Sequence, residues 1–128
     1  LLSGSTPTGL PVVATARFPM RRVDYPLCDQ HVAVVLPYRE RTEQRLPAES
    51  ALTALRGFEE ELLEVLGESA VLVGHESANG RRIMHVYADR ATPVAEAVGK
   101  LAQSWPDGRA QVAVTTDPAW ANVAHLRP

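Results

Sequence analysis

Cysteine is nearly missing from this chain. Cys28 is the only one among 128 residues, so no intramolecular disulfide forms and no cysteine-rich zinc site is available. That usage is compatible with a reducing compartment, and a cytoplasmic location is the expectation. A basic surplus is missing too: the formal net charge is −2, which disfavours nucleic acid as a partner. No apolar run reaches the length of a membrane span, so no membrane partner is expected. The first residues, Leu1-Leu2-Ser3-Gly4-Ser5, offer neither an initiator Met nor a basic segment followed by a long apolar stretch. They do not read as a signal peptide, and trimming or further sequence upstream is expected. GxSxG, the P-loop, the dinucleotide glycine fingerprint and HExxH are all absent. Accordingly no residue is assigned as catalytic, no metal or cofactor is expected, and a non-enzymatic role is favoured.

What the chain does have is a sharp hairpin signal. Asn79-Gly80 stands between the apolar runs 70–74 and 83–88. Both turn residues tolerate positive φ, which tight turns between antiparallel strands require. Residues 1–9 are small and polar and are expected as a flexible tail, followed by a single domain over 10–128. Within it, 10–18 reads as an extra strand and 31–38 as a central one. A helix runs from about Pro47 to Leu66, with Leu52, Leu55, Phe58 or Glu59, Leu62, Val65 and Leu66 on its stripe and Gly67 at an αL cap. Gly57 lies inside it, and its expected compensation is close approach of helix to sheet. A second helix starts with Thr92 as N-cap and Pro93 in first position, with Val94, Ala97, Val98, Leu101 and Trp105 on its stripe. Residues 111–116 form the last strand, and Asp117-Pro118-Ala119-Trp120 opens a short terminal helix whose Trp120 and Val123 fold back on the domain.

This order predicts an α+β fold: a ferredoxin-like split βαβ sandwich (βαββαβ), with an antiparallel sheet and both helices on one face. Alternation sets Met84, Val86 and Ala88 against the helices, with His85 and Tyr87 on the open face.

A set of landmarks runs through most of the chain. Asp24-Tyr25-Pro26 precedes the first long strand, which ends at Leu36-Pro37-Tyr38. Then come the acidic helix from Phe58 to Leu63, Val71-Leu72-Val73-Gly74, and Asn79-Gly80-Arg81-Arg82. Val86-Tyr87-Ala88-Asp89 and Asp117-Pro118-Ala119-Trp120 complete the series. From Asp24 to the C-terminus the chain thus resembles the domain of unknown function 695 family. The resemblance implies a compact α+β domain and brings no agreed activity, cofactor or catalytic residue. Where members carry an aromatic-rich strand after the hairpin and a further aromatic near the end, this chain has Met84, His85 and His125.

Five residues are singled out for ligand binding: His85, Tyr87, Glu76, Arg81 and Arg82. Glu76, His85 and Tyr87 would share the open face with His31, a pairing suited to acid–base work because imidazole titrates near neutrality. Arg81 and Arg82 would grip phosphate or carboxylate if they converge with Arg21 and Arg22. Whether His75 and His85 share a face turns on the register: an even loop at Asn79-Gly80 sets Met84 opposite His75 and parts the imidazoles. Even adjacent, the two lack a third obvious metal ligand beyond Glu76 or His31. The glutamates Glu59, Glu60, Glu61 and Glu64 read as a solvated face, and Cys28 as an inert thiol.

The leading expectation is a recognition or regulatory module for a protein or small-molecule ligand, with homodimerisation through the open face or a sheet edge. The alternative is a small hydrolase or phosphate-ester enzyme using His85, Glu76 and the arginines. A third reading is RNA binding on the sheet, for which only Tyr87 is well placed.

Overall fold

The computed structural model describes residues 2–5, 9, 11–16 and 22–126. Six strands, β1 (Leu2–Ser5), β2 (Pro11–Ala16), β3 (Gln30–Pro37), β4 (Ala70–Ala78), β5 (Arg81–Ala88) and β6 (Gln111–Thr116), form one sheet. Their order is β1-β2-β4-β5-β3-β6, and every neighbouring pair is antiparallel. Two helices, α1 (Glu49–Leu66) and α2 (Val94–Ala102), lie on one side of it. Short 3-10 turns at Arg22–Asp24 and Ala121–Leu126 complete the described residues.

The expected strand at 10–18 is β2, whose described part ends at Ala16; Leu10, Arg17 and Phe18 lie outside the described residues. Leu2–Ser5 falls in the stretch expected as a flexible tail, yet it forms β1, paired from Leu2 opposite Ala14 to Ser5 opposite Pro11. A sheet edge presents unpaired N–H and C=O groups, and pairing with them needs no apolar side chain. Small polar composition therefore says little about whether such a segment pairs.

Ala78 pairs with Arg81, leaving Asn79-Gly80 as a two-residue turn with φ of 50° and 79°. Positive φ at both positions is the backbone of a type I′ hairpin, whose twist matches that of the strands. Met84 then stands opposite His75, so His75 and His85 point to opposite faces.

One irregularity interrupts the hairpin. Leu72 pairs with Val86 and Gly74 with His85, so β4 carries one extra residue at Val73. Such a bulge shifts the alternation of everything beyond it. Before it, Ala70 and Leu72 face the helices; after it, Glu76 faces away from them, on the side of His85. Gly74 permits this. A Cβ there would sit 2.6 Å from the Thr15 carbonyl oxygen on β2 and 3.1 Å from the Ala16 Cα.

On the helix side, Ala51, Leu55, Phe58, Leu62 and Leu66 of α1 and Val94, Val98 and Ala102 of α2 are buried against the sheet. They meet Val32, Val34, Leu36, Leu72, Met84 and Val86, which are 1% exposed or less. Trp105 closes the end of this layer, edge-on to Phe58 at 5.8 Å, its indole N–H donating to the Pro37 carbonyl.

Three local expectations are revised. Helix α1 starts at Glu49, because Pro47 is engaged in a bridge with Arg41. Thr92 is not the cap of α2: its hydroxyl donates to the Asp89 carbonyl, and Pro93 occupies the N-cap position. Gly57 has no close neighbour, since a Cβ there meets nothing within 4 Å. Gly57→Ala is therefore expected to stabilise the protein by about 0.5–1 kcal/mol, read as a higher urea midpoint.

The face expected to be open is covered in part. Val71, Val73, Tyr87 and Ala14 are apolar there, and the C-terminal segment folds over them with Trp120, Val123 and Leu126. Burial of that surface is the driving force.

Candidate functional site

The two faces carry different chemistry. On the capped face, four polar side chains form a continuous string. His31, near the start of β3, sits opposite Tyr87 of β5. His85 lies two pairs further along β5, opposite Ala33. Their rings stack at 5.2 Å, and His31 Nε2 lies 2.9 Å from His85 Nδ1. His85 Nε2 lies 2.7 Å from Glu76 Oε2, and His125 Nε2 lies 2.9 Å from the same oxygen. Burial falls along the string: His31 and His85 are buried, Glu76 is partly covered, and the His125 side chain is 55% exposed.

Charge sets the direction of these bonds. The His85 hydrogen bond, more than any other influence, holds the Glu76 carboxyl down to about 2; burial opposes it and the His125 bond assists. Glu76 is thus an acceptor, and His85 donates to it through Nε2. Burial, with His85 nearby, lowers His31 to about 4, so His31 is neutral near pH 7. His31 Nε2 and His85 Nδ1 share a single proton in the hydrogen bond between them.

Tyr87 builds the floor of this region rather than facing solvent. It is fully buried, stacks on Trp120 at 4.6 Å and donates to Asp117 Oδ2 at 2.6 Å. The expectation that it offers a stacking surface for an RNA base is corrected by that burial. Arg81 lies on the same face, beside a cavity of about 290 Å³ lined also by Glu76, Ile83, Val12 and Gln111.

Arg82 goes the other way. It pairs with Ser77 on the helix side and is 8% exposed, its Nε donating to Ser77 Oγ at 2.8 Å. It lines a larger cleft, about 490 Å³, between α1 and the strands β2 and β4. Arg56, Glu59 and His75 share that cleft. His75 Nε2 lies 3.8 Å from Glu59 Oε1, while its buried Nδ1 has no hydrogen-bond partner. Burial, with the nearby arginine, lowers His75 to about 4.

The structure thus brings together His31, Glu76, His85 and Tyr87, as alternation along the strands indicates. It separates Arg81 from Arg82, because adjacent residues of a strand face opposite ways. Of the other half of the expected arginine cluster, Arg21 lies outside the described residues and Arg22 begins the 3-10 turn Arg22–Asp24. Sequence reasoning passes over His125, His75 as a cleft residue, and Asp117. A signal for His125 existed: a fold-back of Trp120 and Val123 carries the residue two beyond Val123 onto the sheet. The Cys28 thiol is buried, with its ionisation pushed up by that burial, which fits an inert role. Among the described residues no helix is long and apolar enough to cross a membrane.

Searches of curated proteins and of solved structures return no significant match. A family model described as a family of unknown function (DUF695) matches residues 12–124.

Proposed function

The chain belongs to the DUF695 family, and from that premise we propose that it is a binding module for a small anion-bearing ligand, held in the cleft beneath α1. The observation that carries this reading is Arg82. A guanidinium has five N–H donors and stays charged in proteins. Here it is buried, and the hydrogen bond it makes goes to a neutral hydroxyl. Among the described residues no carboxylate comes within ion-pair distance of it, although Glu59 acts on it from further away. A buried cation with so little compensation is costly. A carboxylate or phosphate group entering the cleft would relieve that cost, with Arg56 at the rim and His75 Nδ1 as a further polar contact. Leu52, Val13 and Pro47 supply the apolar wall that small-ligand sites usually have.

A binding role is preferred to a hydrolytic one because the buried Arg82 does not join His85 and Glu76, leaving only Arg81 on their face. Arg82 is across the sheet from that pair, so the phosphate-ester machinery envisaged for them is divided between two faces. The four central strands, in the order β4-β5-β3-β6 with both helices on one side, support reading the core as a split βαβ sandwich extended by β1 and β2. The lone buried thiol supports a reducing, cytoplasmic setting.

Titration with inorganic phosphate and with citrate, followed by amide chemical shifts, tests the reading. Shifts are expected at residues lining the cleft. Arg82→Gln should weaken binding at least tenfold and Arg56→Ala several-fold, while Arg81→Ala on the other face should leave it unchanged. Absence of shifts in the cleft at millimolar anion, or binding that survives Arg82→Gln, would refute it.

A further inference from the structure

We propose that Glu76, His85 and His125 form a mononuclear Zn²⁺ site, on the opposite face of the sheet from the anion cleft and independent of it. One ligand atom from each residue lies within 4.8 Å of the other two. Glu76 Oε2 is already 2.7 Å from His85 Nε2 and 2.9 Å from His125 Nε2. Tetrahedral zinc with bonds near 2.0–2.1 Å sets its donors roughly 3.3 Å apart. The two contacts to Glu76 need to open by only about half an ångström to admit the ion.

The donor set suits the metal. Two imidazoles, borderline donors, joined by one carboxylate make a set that zinc commonly takes and that the oxygen-seeking cations calcium and magnesium do not favour. Three protein ligands leave a fourth position open to a small molecule, the pattern of zinc sites that bind exchangeable ligands. His125 is the most exposed of the three and sits on the segment that closes over the face, so the ion has a route in from solvent.

His31 supplies the support that such sites need. A metal-bound imidazole is oriented by the hydrogen bond at its other nitrogen. His85 Nδ1 already has that bond, 2.9 Å from His31 Nε2, with the two rings stacked. On binding, Zn²⁺ takes the lone pair of His85 Nε2, and the ring proton resides on Nδ1, donated to His31 Nε2. His31 then carries its own proton on Nδ1. The protons that Glu76 now receives from His85 and His125 are replaced by one divalent ion, which satisfies the carboxylate as well.

The test is titration of the full chain with Zn²⁺ by calorimetry, and with Co²⁺ by visible absorption, which reports coordination directly. One ion per chain is expected. His125→Ala removes a largely exposed side chain and should keep the fold by near-ultraviolet circular dichroism while weakening binding by at least tenfold. Glu76→Gln should do the same, and His31→Ala should weaken binding roughly 10- to 100-fold without removing a ligand. Folded parent protein that binds no Zn²⁺ at tens of micromolar overturns the proposal. So does binding that survives both His125→Ala and Glu76→Gln. Because phosphate or citrate binding is read at Arg82, either result leaves the anion cleft to stand or fall separately.

Discussion

Replacing Trp120 by Ala is expected to cost about 3–5 kcal/mol of stability, the largest effect of any single substitution considered for this protein. Trp120 is 1% exposed. Its ring stacks on Tyr87 at 4.6 Å and on Tyr25 at 6.0 Å, and its indole N–H donates to the Cys28 carbonyl at 2.9 Å. It also holds a backbone φ of 54°, a left-handed conformation that non-glycine residues adopt only where their surroundings impose it. Alanine would keep that backbone demand and lose the burial that offsets it. Urea unfolding followed by far-ultraviolet circular dichroism measures the loss. A change below 1 kcal/mol would mean that the C-terminal segment is not part of the cooperative fold. Trp120→Phe should recover much of the stacking but leave the Cys28 carbonyl without its donor. Both variants should also loosen His125, which is carried by the same segment.

The second large effect is expected at Asp117. Its Oδ2 accepts from the Tyr87 hydroxyl, from the Asn122 backbone amide and from Asn122 Nδ2; Oδ1 accepts from the Ala121 amide. It therefore caps the 3-10 turn Ala121–Leu126 and ties that turn to β5. Loss of a cap costs about 0.5–2 kcal/mol and loss of a hydrogen bond to a charged group about 1.5–3. Asp117→Ala should thus lower stability by about 3 kcal/mol. Burial raises the Asp117 carboxyl, but the bonds from Tyr87, Asn122 and Ala121 outweigh it and leave the group below its ordinary range. A depressed folded pKa gives a stabilisation that is complete above the unfolded value and fades as pH falls through the folded one. The gap between parent and Asp117→Ala should therefore be widest at neutral pH and narrow as pH falls below the ordinary carboxylate range. A gap that stays constant in acid would show that the charge of Asp117 contributes nothing.

Much of this architecture was legible in the chain. Asn79-Gly80 set the turn, and with it the register that separates His75 from His85. Alternation along β5 assigned Met84 and Val86 to the helices and His85 and Tyr87 to the far side. Those inferences rest on backbone periodicity, which a sequence displays. What stayed hidden depends on distance in space. No local pattern announces that Val73 is an extra residue, because a bulge arises from how β4 meets both of its neighbours. His125 and Asp117 act on residues far away in sequence, and their partners emerge only once the terminal segment lies on the sheet. Leu2–Ser5 pairs through main-chain groups, about which side-chain composition is silent.

The surplus residue in β4 has an outcome of its own. Strand positions downstream of Val73 are dealt to the two sides in the reverse of the upstream order, so the same short stretch furnishes both the imidazole–carboxylate string and the cationic cleft. Deleting Val73 would remove the bulge and leave a regular ladder in which Gly74 still meets His85, so Glu76 would stay beneath the terminal segment and His75 and Ser77 under α1. A one-residue deletion there would take Val73 out of the apolar layer beneath Trp120 without moving any residue of either recognition surface to the other side.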